Sequence, residues 1–409
     1  VFQEANSFSP FEIAEAAGDY CDLVWVVGWS PNAQIGSSRL LPRLGEVVDV
    51  DGQVEEQAVK TLAALDLDGV VVFTDPPQVL AAALAEHLGL PFHSPGTAKA
   101  LSDKYEQRLV LEGAGIPVPP YVALRPVAYR SGGRPLREDF PFPAVLKPRR
   151  GSGSRDTFRV GDMAELLSTL ASCRDEDFVL EAELAGRYDG AGSGTGMVSG
   201  TDMVSVETVV RDGHAEHVAV TGRFPLAPPF RETGSFLPSD LSPDDTAAVL
   251  ATADAAVVAL GVRHGILHTE IKLTPDGPRI IEVNGRLGGG IDRLLSRVGG
   301  PPLMRWAMRL ALSLEVGPAA RLAGSPVAFF SWVLAPGGAT RVERAGGVND
   351  LRTLPGVDTV RLNRRAGDTV DVREGGGGHV VAVEGTVATH ADLALLRHRI
   401  DATLSLTFS

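Results

Sequence analysis

One segment constrains the fold more than any other: His268–Gly290, reading HTEIKLTPDGPRIIEVNGRLGGG. Two β-prone runs flank Pro275-Asp276-Gly277, and turn chemistry between such runs predicts a hairpin. Glycine suits the left-handed last position of a three-residue loop. Pairing Thr274 with Pro278 across that loop sets Glu270 opposite Glu282 and His268 opposite Asn284. Like charges facing each other on a sheet cost roughly 0.2–1 kcal/mol when exposed and more when buried, unless a proton or cation lies between them. Two carboxylates with the amide oxygen of Asn284 form the all-oxygen donor set that Mg²⁺ or Mn²⁺ prefers. A two-residue loop would instead put Glu270 opposite Ile281 and send the carboxylates to opposite faces. Periodicity alone leaves both registers open.

The rest of the chain narrows the setting. It has 409 residues, 44% hydrophobic and 22% charged, enough for two to four domains with real cores and too apolar for wholesale disorder. Its 38 basic and 51 acidic residues give a net charge of −13, which repels a polyphosphate backbone and argues against nucleic acid. Two cysteines, Cys21 and Cys173, make no disulfide framework and no metal-ligand spacing, so a reducing, cytoplasmic compartment and bystander thiols are expected. No run is long and apolar enough for a bilayer, and no basic-then-apolar leader opens the sequence, so neither a membrane role nor secretion is expected. Lysine stands only at 60, 99, 104, 147 and 272, which makes a lysine inside a motif informative.

Up to about residue 102, strand-like runs at Asp22–Gly28 and Gly69–Phe73 alternate with helical patterns such as Pro77–Leu88, closed by Gly89. That alternation predicts an α/β layer with a parallel sheet. Ser102-Asp103 opens a helix that ends at Gly113–Gly115 before prolines, marking a domain joint. Phe142–Asp156 reads as a strand running into a glycine-serine loop, and Phe178–Leu184 as another strand. Six glycines between 186 and 200 predict a mobile loop. Leu241–Gly261 reads as a helix capped by Ser242, and beyond about 318 a β-rich tail turns at Gly337–Gly338 and Gly375–Gly378 and closes with a helix near His390–Leu404.

Two further groups could bind anions. Lys147 ends an apolar strand and precedes Gly151-Ser152-Gly153-Ser154, where converging backbone amides could cradle phosphate; a solvated turn is the other reading. Arg286 follows Asn284 by two residues and precedes Gly288-Gly289-Gly290, so its guanidinium could grip phosphate oxygens, or simply pair with Glu282 or Asp292.

Taken in order, Ser102-Asp103-Lys104, the strand and loop at Val145–Ser154, GIPVP at 115–119, Phe178–Leu184, HTEIK at 268–272 and IIEVNGRLGGG at 280–290 resemble the ATP-grasp superfamily, in particular carboxylate–amine ligases of the L-amino acid ligase type. The resemblance implies an α/β fold with α+β lobes: a Rossmann-like N-terminal domain (1–102), a mobile lid with the adenine hinge (103–187), a catalytic subdomain with the metal hairpin (188–318) and a β-rich C-terminal lobe (319–409). It implies ATP and Mg²⁺ (or Mn²⁺), with Lys104 and Lys147 on the phosphates and Gly151, Ser152, Gly153 and Ser154 as the flap. Glu181, Ala182, Glu183 and Leu184 would read the adenine edge, and Asp202 would take the ribose in place of the usual acid after the hinge, where Gly186-Arg187-Tyr188 breaks the pattern. Glu270, Glu282 and Asn284 would hold metal, and Arg286 would stabilise the phosphoryl group in flight. Arg231, Glu232, His268, Gly288 and Gly289 would lie on the substrate side, with no catalytic role for His268.

The expected activity is coupling of a small acid, such as an amino acid, to an amine through an acyl phosphate, in the service of a small natural product. Its partners would be small molecules, with no nucleic acid or membrane, and a homodimer is compatible. The alternatives are a purine-pathway or biotin-carboxylase-like enzyme sharing the same site, and an ATP-binding module without turnover.

Overall fold

The computed structural model describes residues 1–4, 8–29, 39–130, 136, 139–187, 202–319, 322 and 326–409. In the N-terminal lobe, strands Val24–Val27 and Glu46–Asp49 pair in parallel, as the alternating pattern predicts. The expected strand at Gly69–Phe73 is reduced to one bridge: Phe2 lies between Val26 and Val72 and contacts each at a single residue, so no ladder extends. Helices Glu55–Ala63 and Gln78–Leu88 cover this layer through Leu62, Ala81 and Leu84. Gly89, at φ 69°, ends the second helix in the left-handed conformation that glycine tolerates best.

Near residue 102, where a domain joint is expected, two helices meet at capping residues. Ser94 opens helix Pro95–Ser102, and Asp103 then opens Lys104–Gly113 by accepting from the Tyr105 and Glu106 amides. The region expected as the lid holds an antiparallel sheet, ordered Tyr121–Leu124, Phe178–Ala182, Ala144–Pro148, Phe158–Val160. Helix Met163–Ser172 packs on it through Leu166 and Leu170, with the Cys173 thiol in the same apolar core.

A second antiparallel sheet of eight strands runs from hairpin Gly265–Thr274/Gly277–Asn284 through Met203–Arg211, His214–Arg223 and Gly234–Leu237 to Val327–Leu334, His379–Val387 and Val357–Leu362. Helix Pro243–Ala259 starts at its Ser242 cap and buries Val249, Ala253 and Val257. Helix His390–Thr403 covers the far end of the sheet, where Leu393, Leu396 and Ile400 are buried. The glycine-rich stretch read as a mobile loop lies, from 188 to 200, outside the described residues. No helix among the described residues is long and apolar enough to cross a membrane.

Candidate active site

The hairpin corrects one expectation and upholds its consequence. Its loop has two residues: Thr274 pairs with Gly277, Leu273 with Pro278 and Ile271 with Ile280. Pro278 has no N–H with which to close the longer loop, and Thr274 Oγ1 donates instead to the Gly277 carbonyl at 2.7 Å. A bulge at Ile281 then restores the register, so Glu270 faces Glu282 and His268 faces Asn284. Both carboxylates therefore share one face for a reason that loop length alone does not supply.

Around that face the chain gathers two groups of buried charge. On the lid side, Lys147 Nζ lies 2.9 Å from Glu181, whose carboxylate also takes Arg108 Nη2 at 3.1 Å. Burial pulls the Lys147 pKa down against the pull of Glu181. Burial pushes the Glu181 carboxyl up, but Arg108 and Lys147 outweigh it and hold the group at about 2. On the sheet side, His268 Nδ1 lies 2.6 Å from Glu207, and its Nε2 lies 3.0 Å from Arg223 and 3.5 Å from Glu270. Burial disfavours the imidazolium, yet Glu207 and Glu270 more than offset it and carry the His268 pKa up to about 9. Burial likewise opposes the Glu270 carboxylate, while His268 and Arg223 hold its pKa well below the usual range. Arg223 reaches on to Glu232 at 2.7 Å.

Lys104 joins the two groups. Its Nζ donates to the Gly151 carbonyl of the glycine-serine loop at 2.6 Å and pairs with Glu282 at 2.8 Å. Arg149 fastens the base of that loop with two hydrogen bonds to Asp103, at 2.9 and 2.8 Å. Arg286 sits beside Asn284 Oδ1 at 3.4 Å and is clamped by Asp75, Nε at 3.2 Å and Nη2 at 2.8 Å.

Among the described residues no group of three or more His, Cys, Asp or Glu forms a metal site. The candidate set is two carboxylates and one amide, all oxygen donors, and Glu270 and Glu282 are balanced by Arg223 and Lys104. That chemistry fits a hard divalent cation, which would satisfy the same negative charge.

Other candidates are placed as follows. The Glu181 side chain serves Lys147 and Arg108, and the Glu183 carboxylate holds Arg159 at 2.7 Å, so a base edge would meet the backbone of Glu181–Leu184. Strand Phe178–Ala182 stops two residues short of the expected Leu184, and the Glu183 amide donates to the Pro143 carbonyl. Asp202 is buried near the turn end of the hairpin, where its carbonyl accepts from the Leu273 amide at 2.7 Å. Arg231 is buried and donates to the Pro228 and Ala335 carbonyls, each at 2.9 Å, which braces the loop that carries Glu232. A side chain at Gly288 would meet His268 Nδ1 at 2.4 Å, whereas nothing lies within 4 Å of one at Gly289.

Four residues of the site escaped the sequence reading: Asp75, Arg108, Glu207 and Arg223. Two left a usable signal. Arg108 lies one helical turn after Lys104, on the same face, and Asp75 follows a strand-like run of an α/β lobe, where such folds place ligands. Glu207, a charge inside the apolar run MVSVETVV, is a weaker cue, and Arg223 offers none.

Residues 140–293 match the family described as ATP-grasp domain. The chain is 28% identical over 327 residues to carnosine synthase 1 of Homo sapiens, covering 72% of this chain and 38% of that protein. It thus spans well under half the length of that relative. It is also 26% identical over 240 residues to a D-alanine–D-alanine ligase of Arthrobacter sp., covering 53% of this chain and 55% of that protein. The crystal structure of an L-amino acid ligase from Bacillus licheniformis superimposes with a TM-score of 0.73 at 20% identity, over 98% of this chain and 96% of that one. A glycine-serine loop, two lysines and paired carboxylates thus gather at one site, in a chain whose residues 140–293 match the ATP-grasp domain and which is similar to carnosine synthase and D-alanine–D-alanine ligase.

Proposed function

We propose that the protein activates the carboxylate of an amino acid or other small acid with ATP and couples it to an amine, such as a second amino acid, releasing ADP and phosphate. A carboxylate is a poor acyl donor because its leaving group would be oxide. Attack of its oxygen on the γ-phosphorus expels ADP and leaves an acyl phosphate; attack by an amine nitrogen then expels phosphate, and the nitrogen loses a proton.

The observation that carries this reading is the contact of Lys104 with both the flap carbonyl of Gly151 and Glu282 of the hairpin, which joins a phosphate loop to a carboxylate pair. In this reading Lys104 and Lys147 hold phosphate oxygens, and the Glu181–Leu184 backbone and Asp202 take the nucleoside. A divalent ion, Mg²⁺ or Mn²⁺, bound by Glu270, Glu282 and Asn284 would supply positive charge to the phosphates. Arg286, held by Asp75, meets the charge that grows on the phosphoryl group, a role worth roughly 10³–10⁵ in rate where an arginine fills it. Glu232, Gly288 and Gly289 border the acid and amine. Closing the flap keeps water from the acyl phosphate.

The test is an assay with ATP and Mg²⁺ against pooled amino acids, with nucleotide products resolved and hydroxylamine as a trap. ADP with an acid-specific hydroxamate supports the reading and names the acid. AMP with pyrophosphate rejects it, and nucleotide binding without turnover on any acid would favour a binding module.

A further inference from the structure

The flap is held from a side that the nucleotide chemistry does not require. Asp156, at its end, is 1% exposed, and its carboxylate accepts from Arg373 Nε at 2.7 Å and Arg155 Nη1 at 2.7 Å. Its own amide donates to the Arg373 carbonyl at 3.0 Å, and the Gly376 amide donates to the Gly153 carbonyl at 3.0 Å. Ser154 Oγ adds a bond to the Phe230 carbonyl at 2.8 Å, in the loop next to Glu232. Gly375 sits at φ 63°, and a Cβ there would stand 2.0 Å from the Gly153 oxygen. Ser154 and Asp156 themselves have φ of 59° and 47°, a conformation that non-glycine residues adopt only when surrounding contacts hold it.

We infer that Arg373–Gly376 of the C-terminal lobe is a latch that seats the phosphate flap shut, with Arg373 and Gly375 as positioning residues. The flap then has two anchors with different duties. Lys104 ties its start to the hairpin carboxylate, while the latch ties its end to the C-terminal lobe and Ser154 ties it to the loop bearing Glu232. Water exclusion is thereby linked to the substrate side of the site as well as to the nucleotide. Gly375 is glycine because flap and latch backbones meet there with no room for a side chain.

The inference rests on the proposed ligase activity for its functional consequence, but not for its first test. Hydrogen exchange of the 151–156 amides, with and without ADP and Mg²⁺, compares the parent protein with Gly375→Ala, Arg373→Gln and a control, Gly377→Ala, whose added Cβ meets nothing within 4 Å. The latch predicts exchange faster by roughly tenfold or more in the first two variants and parent-like protection in the control. Parent-like protection in both Gly375→Ala and Arg373→Gln overturns it, and if Gly375→Ala does not fold, Arg373→Gln decides alone. Once an acid is known, the same two variants should release roughly threefold or more ADP per amide formed, as acyl phosphate is lost to water, with Arg373→Lys partly restoring the coupling. Should no acid yield a hydroxamate, the ligase reading fails while the exchange experiment still decides the latch.

Discussion

The two groups of buried charge that flank Lys104 differ in sign. On the lid side, Lys147 and Arg108 face a single carboxylate, Glu181. On the sheet side, Arg223 and His268 face three, Glu207, Glu232 and Glu270. Among the described residues, the first group carries more positive than negative charge and the second more negative than positive. Buried charge is expensive unless balanced, so each imbalance states what its side lacks: an anion beside the lid and a cation beside the hairpin. A phosphate with its metal ion meets both demands at once, and Lys104–Glu282 lies between them. The lesson is that residual charge, rather than any one side chain, marks where each part of the ligand belongs.

The sharpest way to break this contrast is to change the sheet side while sparing the fold. Glu282→Gln, which removes the negative charge of a proposed metal ligand and the ion-pair partner of Lys104, should abolish hydroxamate formation, and Arg286→Ala should lower it by roughly 10³–10⁵. Unaltered circular dichroism is expected in both, and ordinary activity in either would sink the assignment. The lid side should fail differently. Glu181→Gln leaves Lys147 and Arg108 without a counter-charge, so urea unfolding should show a loss of about 3–5 kcal/mol, a penalty that bound ATP partly relieves.

Asp75→Asn keeps the shape at Arg286 and removes the charge that clamps it. Because a small misplacement of a reacting group can cost about 10²-fold, kcat should fall by that order with KM for ATP little changed; equal loss in both would mean Asp75 serves binding instead.

The smallest effect separates the groups by pH, in metal-free protein. The Glu181 pKa is depressed from 4.5 to about 2; the unfolded chain binds more protons in that window, so its stabilisation is complete above 4.5 and lost as pH falls toward 2. The His268 pKa is raised from 6.5 to about 9; the folded protein binds more protons there, so its stabilisation is complete below 6.5 and lost as pH rises through 9. Each arm has a limiting slope of about 1.4 kcal/mol per pH unit. Glu181→Gln should weaken the acid arm, which Glu270 shares, and spare the alkaline arm, whereas His268→Gln should flatten the alkaline arm and, by releasing Glu270, weaken the acid arm as well, as read by urea midpoints across pH; loss of the alkaline arm in Glu181→Gln would show the groups to be one.

Much of the molecule was legible in the chain because its causes are local. Ser242, Asp103 and Gly89 act within a few residues of themselves, through hydrogen bonds or backbone sterics, and helices begin and end where they stand. Glu270 and Glu282 face each other across a short hairpin. Even there the turn was misread, because a bulge at Ile281 and the extra residue of the expected loop shift the register by the same single step. What tertiary structure alone decided is which distant charges meet. Asp75 reaches Arg286 across 211 residues of sequence, Arg108 reaches the Ile281 carbonyl across 173, and Arg373 reaches Asp156 across 217. Such pairings carry no periodicity and no spacing rule, since an ion pair needs only proximity, and proximity comes from packing one lobe on another. The sequence by itself therefore determined the hairpin, its caps and the chemical class of its donors; the charge balance that says which ligand each side awaits came only with the fold.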